Sequence, residues 1–155
     1  MDIATIIEIT LRLFVAVVLG GILGMERTIV GRSAGLKTYS LVSLGSALFV
    51  MISLEMITPF SVFSGFNPIM MASQIIVGVG FLGAGTVIFQ HSKVQGLTTA
   101  AGLWVSAGLG MASGFGLYTE ALIAALLALL IFTVFWKLED KILKNHGVDD
   151  DISNK

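Results

Sequence analysis

The segment IVGVGFLGAG carries the spacing of a dinucleotide-binding loop, G-x-G-x-x-G, in Gly78, Gly80 and Gly83. Such a loop follows a β-strand, opens a helix and precedes, by about 20 residues, an acidic residue that binds the ribose. Here the nearest acidic residue downstream is Glu120. The segment also lies inside an apolar run long enough to span a membrane. The sequence therefore favours a structural role for these glycines, and we expect no cofactor.

Arg12 is the most informative charged residue, because it lies inside an apolar stretch. Thirteen uncharged residues separate it from Glu26, which places it roughly 20 Å from the end of that stretch. Inserting an arginine into lipid costs about 2.5–3.5 kcal/mol, so the side chain needs partners. Glu8 lies one helical turn earlier on the same face. The other candidates for this polar cluster are Glu55, Gln74 and Glu120. Two interpretations stay open: a proton or cation entry site, or an ion pair that fixes the rotation of the helix.

The composition excludes an ordinary soluble domain, since 55% of the 155 residues are hydrophobic and only 12% are charged. A formal net charge of −1 gives no reason to expect a nucleic-acid partner. With no cysteine and with two isolated histidines, we expect no metal site. No nucleophile, base and orienting group stand at a recognisable spacing, so we expect no enzymatic activity.

Apolar stretches of about 20 residues predict an all-α, polytopic bundle of five transmembrane helices. They cover residues 3–25, 36–57, 69–90, 97–115 and 118–136. The first stretch is full length and opens on an acidic residue, so we expect it to stay as a span and not to be a cleaved signal peptide. Residues 1–136 form the predicted transmembrane domain, and 137–155 a short charged tail.

The basic residues predict the orientation. The loops after the first and third stretches and the tail carry the lysines and arginines, whereas the other loops carry none. By the positive-inside rule we expect the amino terminus outside and the carboxyl terminus in the cytoplasm.

The glycines of the third stretch predict close packing on two sides of its helix. At about 100° per residue, Gln74, Gly78 and Gly85 fall on one face, and Gly80 and Gly83 fall on the other. Helices in lipid associate through small residues, so we expect the third helix to lie centrally. The alternative is that the glycines let helices slide or expose carbonyls to an ion.

The fourth stretch offers a matching ridge of small residues at every fourth position. These are Gly102, Ser106, Gly110 and Gly114. Glycine notches left exposed on such a small bundle would favour a homodimer.

An internal similarity relates two helical hairpins. GILG at residues 21–24 is followed by GLKT at 35–38, and GFLG at residues 80–83 is followed by GLTT at 96–99. Both hairpins would run in the same direction, which predicts a parallel repeat followed by a fifth helix. Chance similarity between glycine-rich apolar segments is the alternative.

Four segments in order, RLFVAVVLGGILGMER, GLKTYSLVSLGSALF, QIIVGVGFLGAGTVI and GLTTAAGLWVSAGLG, resemble the MgtC/SapB family of bacterial inner-membrane proteins. The resemblance covers the chain from about Arg12 to Tyr118. Only 19 residues follow Trp136, so the chain resembles the short SapB-like form without a soluble C-terminal domain. The motif positions carried over are Arg12, Glu26, Arg27, Gly35, Thr38, Gly80, Gly83, Gly96 and Thr99. Independently of the resemblance, Glu26 and Arg27 lie at the end of the first span, where we expect a solvated pair.

The resemblance implies a role in adaptation to low magnesium and the regulation of other membrane machinery. We therefore expect membrane lipids and another membrane protein complex as partners. The alternative function is a proton or Mg²⁺ pathway built on the cluster around Arg12.

Overall fold

The computed structural model describes residues 2–56, 68–90 and 93–145. Within these ranges the chain is helical except for one short β-hairpin and the connecting turns, so the all-α prediction is confirmed. The elements in order are α1 (Ile3–Ile29), α2 (Leu36–Glu55), α3 (Pro68–Ala84), β1 (Ile88–Gln90), β2 (Lys93–Gln95), α4 (Leu97–Phe115), α5 (Tyr118–Leu130) and α6 (Trp136–Asn145). A π-helical turn, Ile131–Phe135, joins α5 to α6.

Three helical segments of the described chain are long and apolar enough to cross a membrane. They are Ile3–Ile29, Leu36–Glu55 and Tyr118–Glu139. A fourth apolar helix, Ile69–Ala84, is shorter. The 19 residues of α4 are too rich in glycine and serine to be counted with them. The predicted number of five spans therefore stays a prediction.

The core is formed by α1, α2 and α4, which pack on one another along small residues. A Cβ atom added to Gly20 of α1 would lie 2.7 Å from the Cβ of Ser43 on α2. One added to Gly114 of α4 would lie 2.7 Å from the Ala47 carbonyl oxygen, and one on Gly110 would overlap the Ser43 carbonyl. The helix backbones thus touch directly, which only small residues allow.

Hydrogen bonds between side chains and backbone carbonyls join the same three helices. Ser43 Oγ on α2 donates to the Ala16 carbonyl of α1 over 2.7 Å. Ser106 Oγ on α4 donates to the Tyr39 carbonyl of α2 over 2.8 Å. The Tyr39 hydroxyl donates in the opposite direction, to the Thr99 carbonyl over 3.3 Å. The polar groups buried at these crossings therefore have partners inside the core.

The predicted central position of the third helix is wrong, because α3 lies at the edge of the core over α2 and α4. Within the described ranges one side of α3 packs, where a Cβ added to Gly83 would lie 3.4 Å from the Cβ of Ala100. No atom of the described residues lies within 4 Å of the Cβ that a side chain would place at Gly78 or Gly80. The nearest atoms to Gly85 are carbonyls of its own helix. Glycine notches predict where a helix can approach, but not which notch another element fills.

The third apolar stretch does not stay helical to residue 90, since α3 ends at Ala84. Thr86 ends it by donating from both its backbone N–H and its Oγ1 to the Gly83 carbonyl. Strands β1 and β2 then pair antiparallel, with Ile88 opposite Gln95. Gly96 follows with a φ of +90°, which favours glycine, and opens α4.

The two helical hairpins share one local geometry. Helices α2 and α4 each begin directly after the glycine of a GLxT segment, Gly35 or Gly96. Gly24 of α1 faces Tyr39, four residues after Gly35, and Gly83 of α3 faces Ala100, four residues after Gly96. Equivalent glycines therefore meet equivalent positions of the following helix. The connections differ, since a β-hairpin precedes only α4.

Candidate functional site

Arg27, at the carboxyl end of α1, is buried with 3% of its surface exposed. Its Nε donates to the Glu26 carboxylate. Its guanidinium carbon lies over the Phe132 ring, 3.8 Å from the ring centroid. The carboxylate and the aromatic ring both offset part of the cost of burying this positive charge. The expectation that this pair is solvated is wrong for Arg27.

Four helical elements build the surroundings of Arg27. Phe132 comes from the π-helical turn after α5, and π-helical turns are frequent at functional sites. Gly102 of α4 clears the space, because a Cβ there would lie 2.9 Å from Phe132 Cζ and would overlap the hydroxyl of Tyr39. Tyr39 of α2 is fully buried beside it. We call Glu26, Arg27, Tyr39, Gly102 and Phe132 the Arg27 cluster.

The turn between α1 and α2 lies next to this cluster and is held by Thr28. Thr28 Oγ1 donates to the Gly24 carbonyl over 3.0 Å and accepts from the Leu36 backbone N–H over 2.9 Å. It thereby satisfies one of the free N–H groups that begin α2. A Cβ on Gly35 would overlap this hydroxyl. Of the two motif threonines, Thr38 is exposed, whereas Thr99 of α4 is buried.

Arg12, the residue that the sequence singles out, lies at the opposite end of the bundle. Its Nη1 donates to the Gly114 carbonyl over 2.7 Å, and its Nη2 pairs with the Glu8 carboxylate. Its Nε has no hydrogen-bond partner in the described part of the chain. Gly114 is next to last in α4, whose carboxyl end carries the negative end of the helix dipole. Arg12 therefore caps α4 across the bundle.

A cavity of about 560 Å³ opens beside Arg12 and Glu8. Its other walls come from the first half of α1 and from the turn between α4 and α5. They are Ala4, Ile7, Leu11, Phe115, Gly116 and Tyr118. The cavity is mainly apolar with one ion pair on its wall.

The structure brings together two of the five residues predicted for the Arg12 cluster, Glu8 and Arg12. Glu55, Gln74 and Glu120 are exposed and make no hydrogen bond or ion pair with Arg12 among the described residues. Over the same ranges, no group of three or more His, Cys, Asp or Glu side chains could hold a metal ion.

Sequence reasoning missed the role of Phe132. In the sequence, a phenylalanine of an apolar stretch that faces lipid cannot be distinguished from one that contacts a buried cation. The π-helical turn that carries it has no signature in the residues IFTVF. The one signal in the sequence was the motif arginine itself, because a buried guanidinium next to an apolar helix requires a ring or a carboxylate.

Comparison with known proteins supports the resemblance seen in the sequence. The chain is 36% identical to "Putative magnesium transporter YhiD" of Escherichia coli (strain K12) over 143 residues, which cover 90% of this chain and 66% of YhiD. It is 38% identical to the protein SrpB of Synechococcus elongatus, over 84% of this chain and 76% of SrpB. It is 45% identical to the protein MgtC of Brucella abortus (strain 2308), over 57% of this chain and 34% of MgtC.

The chain thus spans less than two thirds of YhiD and about a third of MgtC. No solved structure matches it. The model of the MgtC family matches residues 13–141, a range that contains both Arg27 and Phe132. The chain belongs to the MgtC family, as the resemblance to MgtC/SapB proteins predicts.

Proposed function

We propose that the chain is a bacterial inner-membrane protein that regulates membrane or ion homeostasis during adaptation to low magnesium. It acts through contact with other membrane machinery and carries out no enzymatic reaction. The link to magnesium is supported by the name of the YhiD relative, which describes a magnesium transporter. Since the chain spans only part of YhiD, the activity of the whole relative is not carried over with the name.

The observation that carries this proposal is the direct backbone contact among α1, α2 and α4. Gly20 and Gly110 bring the main chains of α1 and α4 against α2 at Ser43, and Gly114 does the same against Ala47, one turn farther along α2. The hydroxyls of Ser43 and Ser106 at the same level are bound to carbonyls of neighbouring helices. Ion conduction needs a hydrated path with polar groups that are free to bind the ion. Because the helix backbones are in contact and these hydroxyls already donate to carbonyls, we favour a protein that acts by binding partners at its outer surface.

The proposed topology has five spans, with the amino terminus outside and the tail in the cytoplasm. It is supported by the basic residues in the connections between α1 and α2 and between α3 and α4, and by the exposed apolar side chains around the helices. In this topology the Arg27 cluster lies near the cytoplasmic surface and Arg12 near the outer surface. The two hairpins, α1–α2 and α3–α4, then form a parallel repeat, supported by the equivalent contacts of Gly24 and Gly83.

A second candidate function is a proton or Mg²⁺ pathway that begins at Arg12. It is favoured by the cavity beside the Arg12–Glu8 pair, which is open to its surroundings and places this pair on its wall. Mg²⁺ usually keeps several waters and is bound through one or two carboxylates. Glu8, which is more than half exposed, is the carboxylate placed to meet such an ion.

The experiment that tests the regulator is deletion of the gene in its own host, with growth measured at limiting and at ample magnesium. We expect a growth defect at limiting magnesium only, which the unmodified gene rescues. The tagged protein should co-purify reproducibly with one membrane complex. A Gly108→Ala variant, altered at a glycine with open space around it, serves as the matched control and should rescue fully. Equal growth of the deletion and parent strains at limiting magnesium would contradict the proposal.

A further inference from the structure

The outward face of α3 has an unusual combination of a polar residue and a glycine notch. Gln74 and Gly83 are nine positions apart, so at about 100° per residue they lie on opposite sides of α3. Gly83 is on the side that packs against α4. Gly78 lies one turn beyond Gln74, and a Cβ added there would have no atom of the described chain within 4 Å. Phe81, one further turn along, is 81% exposed. We call Gln74, Gly78 and Phe81 the Gln74 face.

The side-chain amide of Gln74 forms no hydrogen bond within the described part of the chain. Two other exposed polar side chains on the membrane-facing helices, those of Ser73 and Thr10, are satisfied locally. Ser73 Oγ donates to the Met70 carbonyl over 2.7 Å, and Thr10 Oγ1 donates to the Ile6 carbonyl over 2.8 Å. In hydrocarbon an amide without a partner is costly, and glutamine side chains there bond across helices. The amide of Gln74 is therefore open to a partner that the described part of the chain does not supply.

We propose that the Gln74 face is the docking surface for a second copy of this chain. A glutamine amide carries both donors and an acceptor, so two such groups can satisfy each other. A twofold axis along the membrane normal brings Gln74 against the same residue of the second copy, and identical patches meet in an isologous interface. Gly78 lets the two α3 backbones approach closely at the next turn. The inference rests on the proposed placement of α3 within the bilayer.

The chain has no cysteine, so one introduced thiol reports contact between two copies without interference. Phe81→Cys places a thiol on the Gln74 face and leaves both Gln74 and Gly78 intact. Met25→Cys is the matched control, because Met25 is also exposed and lies at a similar distance from the end of its own helix, α1. Oxidation in native membranes should give a disulfide-linked dimer with Phe81→Cys and mainly monomer with Met25→Cys. Dimer formation of equal efficiency at both positions, or at neither, would overturn the proposal.

Substitutions on the face separate a specific interface from random collisions. In the Phe81→Cys background, Gln74→Leu keeps the approximate size and removes the amide, and should lower the association constant by about threefold to tenfold. Gly78→Leu fills the notch and should abolish the crosslink. Gly45→Leu, at a glycine of α2 that also has open space around it, is the control and should crosslink like the parent. An undiminished crosslink in both face variants would overturn the proposal.

A labelling measurement distinguishes failure of this inference from failure of the proposed topology. A thiol within the bilayer reacts poorly with a water-soluble maleimide, so Phe81→Cys should stay mostly unlabelled in membranes. Rapid labelling would show that α3 lies in water and would overturn both the topology and the interface. An unlabelled thiol with no dimer would overturn the interface alone. None of these readouts depends on the magnesium phenotype.

Discussion

The guanidinium of Arg27 lies over the ring of Phe132, 3.8 Å from the ring centroid, although 105 positions separate the two residues in the chain. The contact fixes the end of α1 against the π-helical turn after α5. It places a motif residue that follows the first apolar stretch against a ring of the last apolar stretch. An arginine of α1 thus contacts another helix at each end of the bundle. Arg27 contacts Phe132 at one end, and Arg12 caps α4 at the other.

Replacing Arg27 should lower the free energy of unfolding by more than the loss of its ion pair with Glu26 would alone. Arg27→Leu leaves the partly buried carboxylate of Glu26 unpaired, which costs about 3–5 kcal/mol where one partner of a buried pair is removed. Arg27→Lys keeps the charge but loses the planar stack, so we expect a loss of about 1–2 kcal/mol. Thermal unfolding in mild detergent measures both. Arg32→Leu, at an exposed arginine of the following loop, is the control and should change little.

A double-mutant cycle tests the ring contact itself. If Phe132 stabilises the guanidinium, Phe132→Leu and Arg27→Lys should each destabilise the protein, and the double variant should cost less than their sum. We expect a coupling of about 0.5–2 kcal/mol. Strictly additive losses would contradict the contact.

Two glycines of α4 provide a matched comparison of packing. A Cβ on Gly110 would overlap the Ser43 carbonyl, whereas Gly108, two residues earlier, has open space around it. Gly110→Ala should therefore force α2 and α4 apart and cost about 1–3 kcal/mol. Gly108→Ala should be neutral or slightly stabilising, because alanine favours the helix over glycine. Equal effects of the two substitutions on thermal unfolding would show that α2 and α4 are not in backbone contact.

Arg12 should matter for stability through the Gly114 carbonyl more than through Glu8. The Glu8 side chain is 58% exposed, and exposed ion pairs contribute little. Arg12→Met removes the hydrogen bond to α4 and should lower the free energy of unfolding by about 1–3 kcal/mol. Glu8→Gln should change it by less than about 1 kcal/mol. A larger effect of Glu8→Gln than of Arg12→Met would count against the capping role.

The orientation can be measured with single cysteines in the cysteine-free chain. Ser33 and Leu117 are both exposed and lie in turns at opposite ends of the bundle. With the amino terminus outside, Leu117→Cys should react with a membrane-impermeant maleimide in intact cells lacking an outer barrier. Ser33→Cys should react only after the membrane is opened. The reverse pattern would invert the proposed topology.

Several parts of the fold could be predicted because they depend on local chemistry. The bounds of α4 match the apolar stretch 97–115, since a glycine stands on each side of it. The starts of α2 and α4 follow the glycines of the GLxT segments. The end of α3 could not be predicted from hydropathy, because the residues after Ala84 remain apolar while Thr86 turns the backbone. Hydropathy reports solubility in lipid but not helical geometry.

The tertiary arrangement was less predictable, for a physical reason that two sets of glycines illustrate. Gly78 and Gly110 look alike in sequence, yet one faces open space and the other meets a backbone carbonyl. Likewise, Arg27 at a span boundary looks solvated, and its burial depends on a ring from a distant helix. These outcomes depend on which helix lies next to which, and a single sequence does not contain that information in its local pattern.

Measuring ion flux in liposomes that contain the purified protein is the most direct way to distinguish a regulator that binds other membrane proteins from a protein that conducts ions. Proton and Mg²⁺ entry should be followed with trapped indicator dyes, alongside protein-free vesicles and vesicles that contain an Arg12→Gln variant. Because the centre of the bundle is filled by the backbones of α1, α2 and α4, we expect no flux above that of protein-free vesicles. Flux well above that level with the unmodified protein, lost in Arg12→Gln, would contradict the proposed function and establish the pathway at Arg12.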